Sequence, residues 1–362
     1  MSKIKILHVI PVFATGGAER LVLEYAKFFD PEKYEIHVAS CVDDGELRQK
    51  FEALKNVRVM VCKRSEGGRM VRYKKLANYV SEIKPDIIHT HLISADLFGY
   101  GIKRKYKDQI KWVSTMHNVE SATSTWRQML WKFILPKSDR VISVSERVEE
   151  FTLDTFKISK EKSIVLRNGI ESDKWLTIPM AGLLKDQTIR IASIGRLWEQ
   201  KGHTYLLQAL PLLQDIPYEV HMFGDGPLRD KLETEARIQG VAEKVIWHGV
   251  QSDIPRYMRD IDIVVQPSLW EGLSLVVMEM MAAGRVVITT PAGGDELIQD
   301  GITGYVIPYK NPHAIAEKIR EVSEDKKTAI QCGRAARVYA KEQFDISKNI
   351  YELEKIYTNL LT

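Results

Sequence analysis

The stretch IDIVVQPSLWEGLSLVVMEMMAAG, residues 261–284, carries the clearest fold signal of this chain. Residues 261–266 form an apolar run of strand length, and a short loop leads from them into an apolar helical pattern. A buried strand that passes through a loop into a helix is the repeating unit of a parallel sheet covered by helices on both faces. The segment therefore predicts an α/β fold.

Two carboxylates, Glu271 and Glu279, lie on either side of the junction between this loop and helix. A continuous helix would separate them by about 12 Å along its axis, whereas the carboxylate pairs that cleave glycosidic bonds stand roughly 5–9.5 Å apart. The spacing favours two contacts with one elongated ligand. Backbone N–H groups of Gly272–Ser274 are expected at the helix start, where anionic or hydroxyl-rich ligands are held. For each Glu alone, a favourable position in the helix dipole or on a solvated face is the alternative interpretation.

The rest of the chain repeats this alternation of strands and helices. With 362 residues, of which 44% are hydrophobic, the chain is too long for one ordinary core. We predict two Rossmann-like, doubly wound domains that face each other across a cleft, where ligands of such sheets bind. The expected boundaries are an N-terminal domain over 1–170, a linker over 171–187, a C-terminal domain over 188–340, and a helix over 341–362 that packs back on the N-terminal domain.

Cysteine content and hydropathy indicate the compartment. Cys41, Cys62 and Cys332 are widely spaced and odd in number, so neither a disulfide framework nor a metal spacing emerges, and a reducing cytoplasm is predicted. The N-terminal apolar run is about nine residues long and no small-residue cleavage site follows it, so we interpret it as a first strand rather than a signal peptide. No apolar run approaches the roughly 20 residues that a membrane span needs.

Positive charge is concentrated in the first half of the chain. The net charge is +4, yet residues 1–180 hold 31 Lys/Arg against 23 Asp/Glu, and residues 55–140 hold 18 against 7. An anionic partner is expected there, namely a membrane surface, a phosphorylated lipid or a nucleic acid. One apolar face of a predicted helix is shared by Trp126, Met129, Leu130 and Phe133, with Arg127 and Lys132 on its flanks. This composition is typical of a peripheral membrane contact. A core-packed helix with a solvated basic face is the alternative.

Two cations, Arg196 and Lys201, follow a predicted strand that ends at Gly195. A guanidinium grips two oxygens and an ammonium acts as a mobile point charge, so the pair suits a diphosphate. Glu199 between them offsets part of that charge, and solvated surface residues are the alternative interpretation. Neither the lysine loop GxxxxGK(S/T) nor GxGxxG follows the first strand of either half, which argues against P-loop and ordinary dinucleotide sites.

Glycines and histidines follow the predicted strands of the first half. Gly16 and Gly17 precede a helix, where their backbone can approach a ligand, although a plain turn explains them almost as well. His117 follows a strand and is expected to point into the cleft, where it would donate a hydrogen bond or move a proton, or else be structural. His89 and His91 form an alternating pair without a visible third ligand, so no metal site is predicted.

Seven short motifs are spread along nearly the whole chain. They are GGAER at 16–20, HTHL at 89–92, MHN at 116–118, VLRNGI at 165–170, SIGRLWEQKG at 193–202, FGDGP at 223–227 and EGLSLVVMEMMAAG at 271–284. Together they resemble a nucleotide-sugar-dependent glycosyltransferase of the GT-B fold and are similar to glycosyltransferase family 4. The most specific element is the run that holds the two glutamates, combined with the two cations upstream of it.

The resemblance implies a role for each candidate site residue. Arg196 and Lys201 match the residues that neutralise the donor diphosphate, and Glu279 matches the carboxylate that binds the ribose hydroxyls. Glu271 matches a carboxylate near the transferred sugar, and His117 matches a position beside the reacting centre; Arg196, Lys201, Glu271 and His117 are therefore the predicted catalytic residues. Other matched positions are Gly17 beside the reacting centre, Val250 at the nucleobase, and Leu273, Ser274 and Leu275 around the sugar and phosphates.

The resemblance also implies the reaction, which retains the anomeric configuration and needs no obligatory metal or other cofactor. We expect a UDP-sugar donor and a lipid-linked saccharide acceptor, in polysaccharide or glycan synthesis at the inner face of the plasma membrane. Ser274 stands where the family usually has proline, and Trp198 and Glu199 replace smaller residues, which leaves the sugar open. The alternatives are a nucleotide-sugar epimerase of the same fold and a non-catalytic nucleic-acid-binding protein, for which no recognisable module is present.

Overall fold

The chain folds as two compact units. The computed structural model describes residues 3–119, 125–180, 184–185 and 187–362. One unit comprises Met1–Gly169 together with Ile346–Thr362, and the other comprises Ile170–Asp345. The end of the chain therefore belongs to the first unit. Within the predicted linker, residues 181–183 and 186 lie outside the described residues.

Parallel strands form the sheet of the first unit. They are β1 (Ile4–Ile10), β2 (Tyr34–Ser40), β3 (Val57–Val61), β4 (Ile87–His91), β5 (Lys111–Met116), β6 (Arg140–Ser143) and β7 (Ser163–Val165). Their spatial order is β3-β2-β1-β4-β5-β6-β7, and each neighbouring pair is parallel. The order reverses between β1 and β4, which makes this the topological switch point where open α/β sheets bind ligands.

The second unit has a parallel sheet of the same kind. Its strands are β8 (Ile189–Ile194), β9 (Tyr218–Phe223), β10 (Val245–Gly249), β11 (Ile263–Gln266), β12 (Val286–Thr289) and β13 (Tyr305–Val306). The spatial order is β10-β9-β8-β11-β12-β13, with parallel pairing throughout. The switch point of this sheet lies between β8 and β11. Each unit is therefore a doubly wound, Rossmann-like domain.

Helices connect the strands and cover both sheets. They are α1 (Gly17–Phe28), α2 (Arg48–Glu52), α3 (Arg69–Ile83), α4 (Leu92–Tyr106), α5 (Thr125–Ile134), α6 (Glu146–Phe156), α7 (Ser172–Leu176), α8 (His203–Ala209), α9 (Arg229–Ile238), α10 (Ile254–Met258), α11 (Leu275–Ala282), α12 (Pro291–Gly294), α13 (Pro312–Glu324), α14 (Lys326–Gln343) and α15 (Ile346–Leu361). Among the described segments, no helix combines the length and the hydrophobicity of a membrane span.

Two cores sandwich the sheet of the first unit. On one face, Leu21 of α1 packs in one cluster with Leu353 and Tyr357 of α15. On the other face, Leu76 of α3 packs with Phe98 of α4. The amphipathic pattern of α15 explains its place, because its apolar stripe needs a partner face to bury against. The last helix of the chain thus completes the core of the first unit.

Candidate functional site

The second unit brings two loops together at its switch point. The loop 195–202 follows β8, and the loop 267–274 follows β11. Lys201 Nζ forms an ion pair with Oε1 of Glu271, and Ser268 Oγ donates a hydrogen bond to the same oxygen over 2.9 Å. The side chains of Lys201 and Glu271 are 14% and 10% exposed. The pair is therefore largely shielded from water.

A glycine lets these two loops pack closely. Gly202 has a φ of 66°, and a Cβ atom on it would lie only 2.0 Å from the carbonyl oxygen of Pro267. Gln200 Nε2 donates to the carbonyl oxygen of Trp270 over 2.9 Å, and the N–H of Leu269 donates to the carbonyl oxygen of Gln200 over 2.7 Å. A side chain at position 202 would separate the loops, so the backbone itself sets the position of the ammonium beside the carboxylate.

Arg196 lies on the same loop as Lys201 but faces solvent. Its guanidinium carbon is 5.5 Å from the centre of the Trp198 ring, which is itself half-exposed. Salt and water screen an exposed cation more strongly than a shielded one. The two predicted phosphate-binding cations therefore differ, since Lys201 is shielded and fixed by its carboxylate whereas Arg196 is solvated.

Helix α11 carries the second predicted carboxylate, Glu279, which is buried within it. Ser274 is the residue that precedes the helix, so the N–H groups at the helix start are those of Ser274, Leu275 and the two residues after them. The amides of Gly272 and Leu273 come before this start. Leu273 and Ser274 are buried, and Leu275 is half-buried. The predicted amide contacts are thus shared between the loop and the first turn.

Val250, predicted at the nucleobase, is exposed just after β10. Two residues before it, the His248 ring stacks parallel to the Phe223 ring with the centroids 4.4 Å apart, and Tyr257 packs against His248 at 5.0 Å. Phe223 is buried and His248 is half-buried, so His248 is the ring of this pair that keeps some exposure. An aromatic ring suits contact with a planar heterocycle. Sequence analysis missed this cluster, although aromatic residues at the ends of two neighbouring strands were a usable signal.

His203 was likewise not predicted from the sequence. It begins α8 and is buried, with Nδ1 at 3.0 Å from Ser193 Oγ. Burial, and to a smaller extent the positive charge of Lys201, lowers the pKa of His203 to about 4. The imidazole is therefore neutral at physiological pH and adds no charge beside the ion pair.

The glycines of the first unit lie at the start of α1. Gly16 precedes the helix and Gly17 is its first residue. A Cβ atom on Gly16 would lie 2.2 Å from a carboxylate oxygen of Glu19, so that carboxylate folds back over the glycine. An acidic group in the first turn stabilises a helix N-terminus. The predicted ligand position beside Gly16 is therefore occupied in part by the protein's own carboxylate.

Three imidazoles are linked by hydrogen bonds at the switch point of the first unit. His117, which is half-buried after β5, has Nε2 at 2.9 Å from Nδ1 of His91. His91 in turn has Nε2 at 3.2 Å from Nδ1 of His8 on β1. Leu92, directly after His91, has a φ of 71°, a left-handed conformation that costs of the order of 1–3 kcal/mol and is concentrated at functional sites. His117 is therefore the outer end of a buried polar chain.

A fourth histidine raises the question of a metal ion. The nitrogens of His8, His89 and His91 lie within 4.8 Å of one another, so His8, opposite His89 on the neighbouring strand, supplies the third group that sequence analysis did not find. However, both nitrogens of His89 already bond at 2.6 Å, one to Thr115 Oγ1 and one to the Tyr357 hydroxyl. The rings of His89 and His91 are stacked at 4.3 Å, and lone pairs lie in the ring planes, so they do not converge on one point. Hydrogen bonding explains this cluster better than a metal ion does.

Helix α5 exposes the apolar face that was predicted to contact a membrane. Trp126, Met129 and Phe133 are 56%, 64% and 60% exposed, so the alternative of a core-packed face is wrong for these three residues. The fourth residue of the predicted face, Leu130, is half-buried. The helix is attached instead through buried Trp131, whose Nε1 donates to Oδ2 of Asp96 over 2.8 Å. Burial raises the pKa of Asp96 to about 6.

The predicted site residues fall into two sets, one in each unit. Those of the second unit follow the carboxyl ends of β8, β10 and β11 and are Arg196, Lys201, Val250, Glu271, Leu273, Ser274, Leu275 and Glu279. Those of the first unit follow β1 and β5 and are Gly16, Gly17 and His117. Both sets lie at the carboxyl edge of a parallel sheet, where ligands of such folds bind.

Two family models match the chain, one on each unit. The model described as Glycosyltransferase Family 4 matches residues 15–174, and the model described as Glycosyl transferases group 1 matches residues 188–325. Together they cover most of the sequence. Both descriptions name the same activity, glycosyl transfer.

Known proteins agree with this assignment. A UDP-Gal:alpha-D-GlcNAc-diphosphoundecaprenol alpha-1,3-galactosyltransferase of Escherichia coli is 24% identical over 99% of this chain and 98% of its own. The putative glycosyltransferase EpsF of Bacillus subtilis is also 24% identical, over 98% and 97% of the two chains.

Solved structures share the fold. HepE of Anabaena, in complex with UDP-glucose, superposes with a TM-score of 0.88 at 21% identity, over 98% of this chain and all of the other. A glycosyltransferase from Rickettsia africae gives 0.85 at 22% identity, over the full length of both chains. The chain therefore belongs to the family 4 glycosyltransferases, which are transferase enzymes of the GT-B fold.

Proposed function

We propose that this enzyme transfers a sugar from a UDP-sugar to a lipid-linked saccharide with retention of the anomeric configuration. The observation that carries the proposal is the shielded ion pair of Lys201 with Glu271 at the switch point of the second unit. An ammonium that is already held in place can bind a phosphate oxygen without first being ordered. Preorganised charge of this kind is the usual means of stabilising a leaving group that becomes anionic.

The chemistry of the leaving group explains the two cations. When the bond between the sugar and the diphosphate breaks, negative charge accumulates on the nucleoside diphosphate and the anomeric carbon becomes cationic. An ammonium has three hydrogens, and Glu271 engages one of those on Lys201. The other hydrogens of Lys201 would bind phosphate oxygens, and the solvated guanidinium of Arg196 would swing onto them. With two cations available, the proposal includes no obligatory metal ion.

The rest of the donor would follow the carboxyl edge of the same sheet. Glu279 would accept hydrogen bonds from the ribose hydroxyls, and the amides of Leu273, Ser274 and Leu275 would hold the sugar and phosphates. The base would lie near Val250, beside the stacked rings of Phe223 and His248. Support for uridine comes from HepE, a protein of the same fold that was solved with UDP and with UDP-glucose.

The acceptor is inferred from the first unit and from a relative. The name of the Escherichia coli relative specifies an acceptor sugar linked to diphosphoundecaprenol. In this chain, the exposed Trp126, Met129 and Phe133 of α5 lie beside Arg127 and Lys132 on the same helix. Apolar side chains flanked by cations are typical of a helix that lies in the interface of an anionic membrane. We therefore place the enzyme in the cytoplasm, at the inner face of the plasma membrane, in the synthesis of a surface polysaccharide or glycan.

A thermal-shift series tests the donor. A ligand that binds only the folded protein raises its melting temperature, so UDP and UDP-sugars should raise it more than the corresponding guanosine and adenosine compounds. Transfer from the stabilising UDP-sugar to a polyprenyl-diphosphate sugar, followed by NMR of the product anomer, then tests the acceptor and the retention. An inverted product, or a preference for another base, would refute that part of the proposal.

The same assay without the acceptor separates transfer from epimerisation. An epimerase needs no acceptor, so incubation with the UDP-sugar alone would yield an epimer. The family assignment favours transfer. A nucleic-acid-binding role is supported only by the clustered positive charge of the first half of the chain. Filter binding to nucleic acid across a salt series would test this role.

Sedimentation with vesicles tests the membrane contact. We expect binding to vesicles that contain anionic phospholipid, weakened by salt, and lost when Trp126, Met129 and Phe133 are all changed to Gln. Ile238→Gln is the matched control, because Ile238 is 74% exposed on α9 of the second unit. Equal binding of the triple variant and the control would rule out α5 as the contact.

A further inference from the structure

The hydrogen-bonded imidazoles of the first unit, which we term the histidine chain, are His117, His91 and His8 in that order. The inner end of the chain is Nε2 of His8, which is fully buried and has no hydrogen-bond partner among the described residues. The rings of Tyr25 and Phe29 neighbour the His8 ring, with centroids 5.9 Å and 6.5 Å from its own. The outer end is Nδ1 of His117, the ring nitrogen that does not bond to His91.

The histidine chain is electrically neutral. Burial lowers the pKa of His8 and of His117 to about 3 and that of His91 well below its ordinary value. A neutral imidazole carries one N–H donor and one acceptor nitrogen. Two consecutive hydrogen bonds therefore leave two arrangements for the three protons. Either every N–H points outward, towards the free end at His117, or every N–H points inward, towards the free end at His8.

The inner end distinguishes these two arrangements. With the protons pointing inward, Nε2 of His8 would carry a buried N–H that has no acceptor among the described residues. With the protons pointing outward, the same nitrogen would carry no hydrogen and would only leave its lone pair without a donor. Buried donors without a partner are rarer in proteins than buried acceptors without one. The outward arrangement is therefore the stable one.

We propose that His8 and His91 are positioning residues that fix the tautomer of His117, so that its Nδ1 carries the proton and donates a hydrogen bond to the substrate. The consequence rests on the proposed function, in which His117 lies beside the reacting centre. A neutral donor at this place binds an uncharged oxygen, such as a sugar hydroxyl. It does not serve as a general base, because Nδ1 has no free lone pair in this tautomer.

The wild-type enzyme itself provides the first test. In the full chain labelled with ¹⁵N-histidine, long-range ¹H–¹⁵N spectra distinguish the two neutral tautomers, and the signals missing from His117→Gln assign that residue. We expect His117 to be neutral and protonated at Nδ1. Protonation at Nε2, or a cationic ring at neutral pH, would overturn the proposal. So would a stoichiometric change in the signals of His8, His89 and His91 on adding zinc, since it would reveal a metal site.

His8→Phe keeps an aromatic ring at this position but removes the inner end of the histidine chain. His91 is then free to adopt either tautomer, so the spectrum should show a mixture of both His117 tautomers. Turnover should fall by about tenfold, which is the effect of losing one hydrogen bond. The affinity for UDP should not change, because the predicted UDP contacts belong to the second unit. An unchanged His117 tautomer in folded His8→Phe would refute the role of His8.

His37→Gln is the matched control. His37 is also fully buried in the first sheet. Both its nitrogens bond to residues that are not part of the histidine chain, namely Tyr79 and Glu35. We expect it to leave the His117 tautomer unaltered; a mixture there would show that any buried histidine of this sheet has the same effect. If His117 has the expected tautomer but His117→Gln retains full turnover, the assigned role of His117 in the proposed function fails while the tautomer assignment stands.

Discussion

The two sheets reverse their strand order at corresponding places but put different chemistry there. Between β1 and β4 of the first unit lie neutral imidazoles, with His8 and His91 fully buried. Between β8 and β11 of the second unit lies an ion pair, Lys201 with Glu271, which keeps a small exposure to water. An unpaired buried charge would cost several kcal/mol. The histidines of the first switch point avoid that penalty because they are neutral. Lys201 and Glu271 of the second switch point avoid it because they pair with each other.

The proposed function assigns a different part of the ligand to each switch point. An ammonium beside a carboxylate keeps its charge and can exchange part of its hydrogen bonding for a phosphate. A neutral imidazole forms a directional hydrogen bond without contributing charge, which suits a hydroxyl group. The proposed roles follow the same division, with the diphosphate at the second switch point and the uncharged sugar at the first. Substitutions in each unit test that division.

The largest effect is expected from Lys201→Ala. Loss of a preorganised donor to a developing anion typically costs about 2.7–4 kcal/mol in the barrier, so turnover should fall by roughly a hundredfold or more. Steady-state kinetics with the UDP-sugar identified by thermal shift would measure it. Lys231→Ala removes an exposed lysine of the same unit and should leave the rate unaltered. A Lys201→Ala enzyme with near-normal turnover would eliminate the diphosphate assignment.

Glu279→Ala should act on donor binding within the second unit alone. A hydrogen bond to a charged group contributes about 1.5–3 kcal/mol, so the Kd for UDP should rise by roughly ten- to a hundredfold. Titration calorimetry would measure it, with Glu317→Ala as an exposed carboxylate control. His117→Ala should leave this Kd unaltered, because His117 belongs to the other unit. An unchanged affinity in Glu279→Ala would contradict the ribose role.

Sequence patterns were sufficient for the parts of the fold and site that are local in the chain. The apolar run at 261–266 and the helix after it were predictable because period and length identify such elements; the strand itself begins at Ile263. Arg196 and Lys201 could be named because they share one short loop. The contact of Lys201 with Glu271 depends on β8 and β11 being neighbours, which spacing alone does not reveal.

Contacts between distant strands account for what was missed. His89 and His91 were noted as a pair, but His8 is about eighty residues away and joins them only because β1 pairs with β4. The stack of Phe223 on His248 likewise requires β9 beside β10. The sequence also could not predict which side chains of α5 are exposed. Trp126 and Trp131 are the same residue type on one helix, yet Trp126 faces solvent and Trp131 is buried.

Acid should destabilise the first switch point before the second. Burial lowers the pKa of His8 and of His117 to about 3, and lowers those of His89 and His91 well below their ordinary value of 6.5. Below pH 6.5 the unfolded chain therefore binds protons that the folded chain does not. Each such histidine removes about 1.4 kcal/mol of stability per pH unit as the pH falls from 6.5 towards its folded pKa.

The second switch point holds fewer buried imidazoles, chiefly His203, whose pKa is lowered to about 4. Hydrogen-exchange protection of the amides in β1 and β4, corrected for the intrinsic pH dependence of exchange, should therefore fall faster between pH 6.5 and 4.5 than that of β8 and β11. His8→Phe should reduce the slope for β1 and β4 by about 1.4 kcal/mol per pH unit, because one histidine no longer titrates on unfolding. Parallel losses in both sheets would mean that neutral burial does not distinguish the two switch points, and the division of ligand chemistry between them would lose its physical basis.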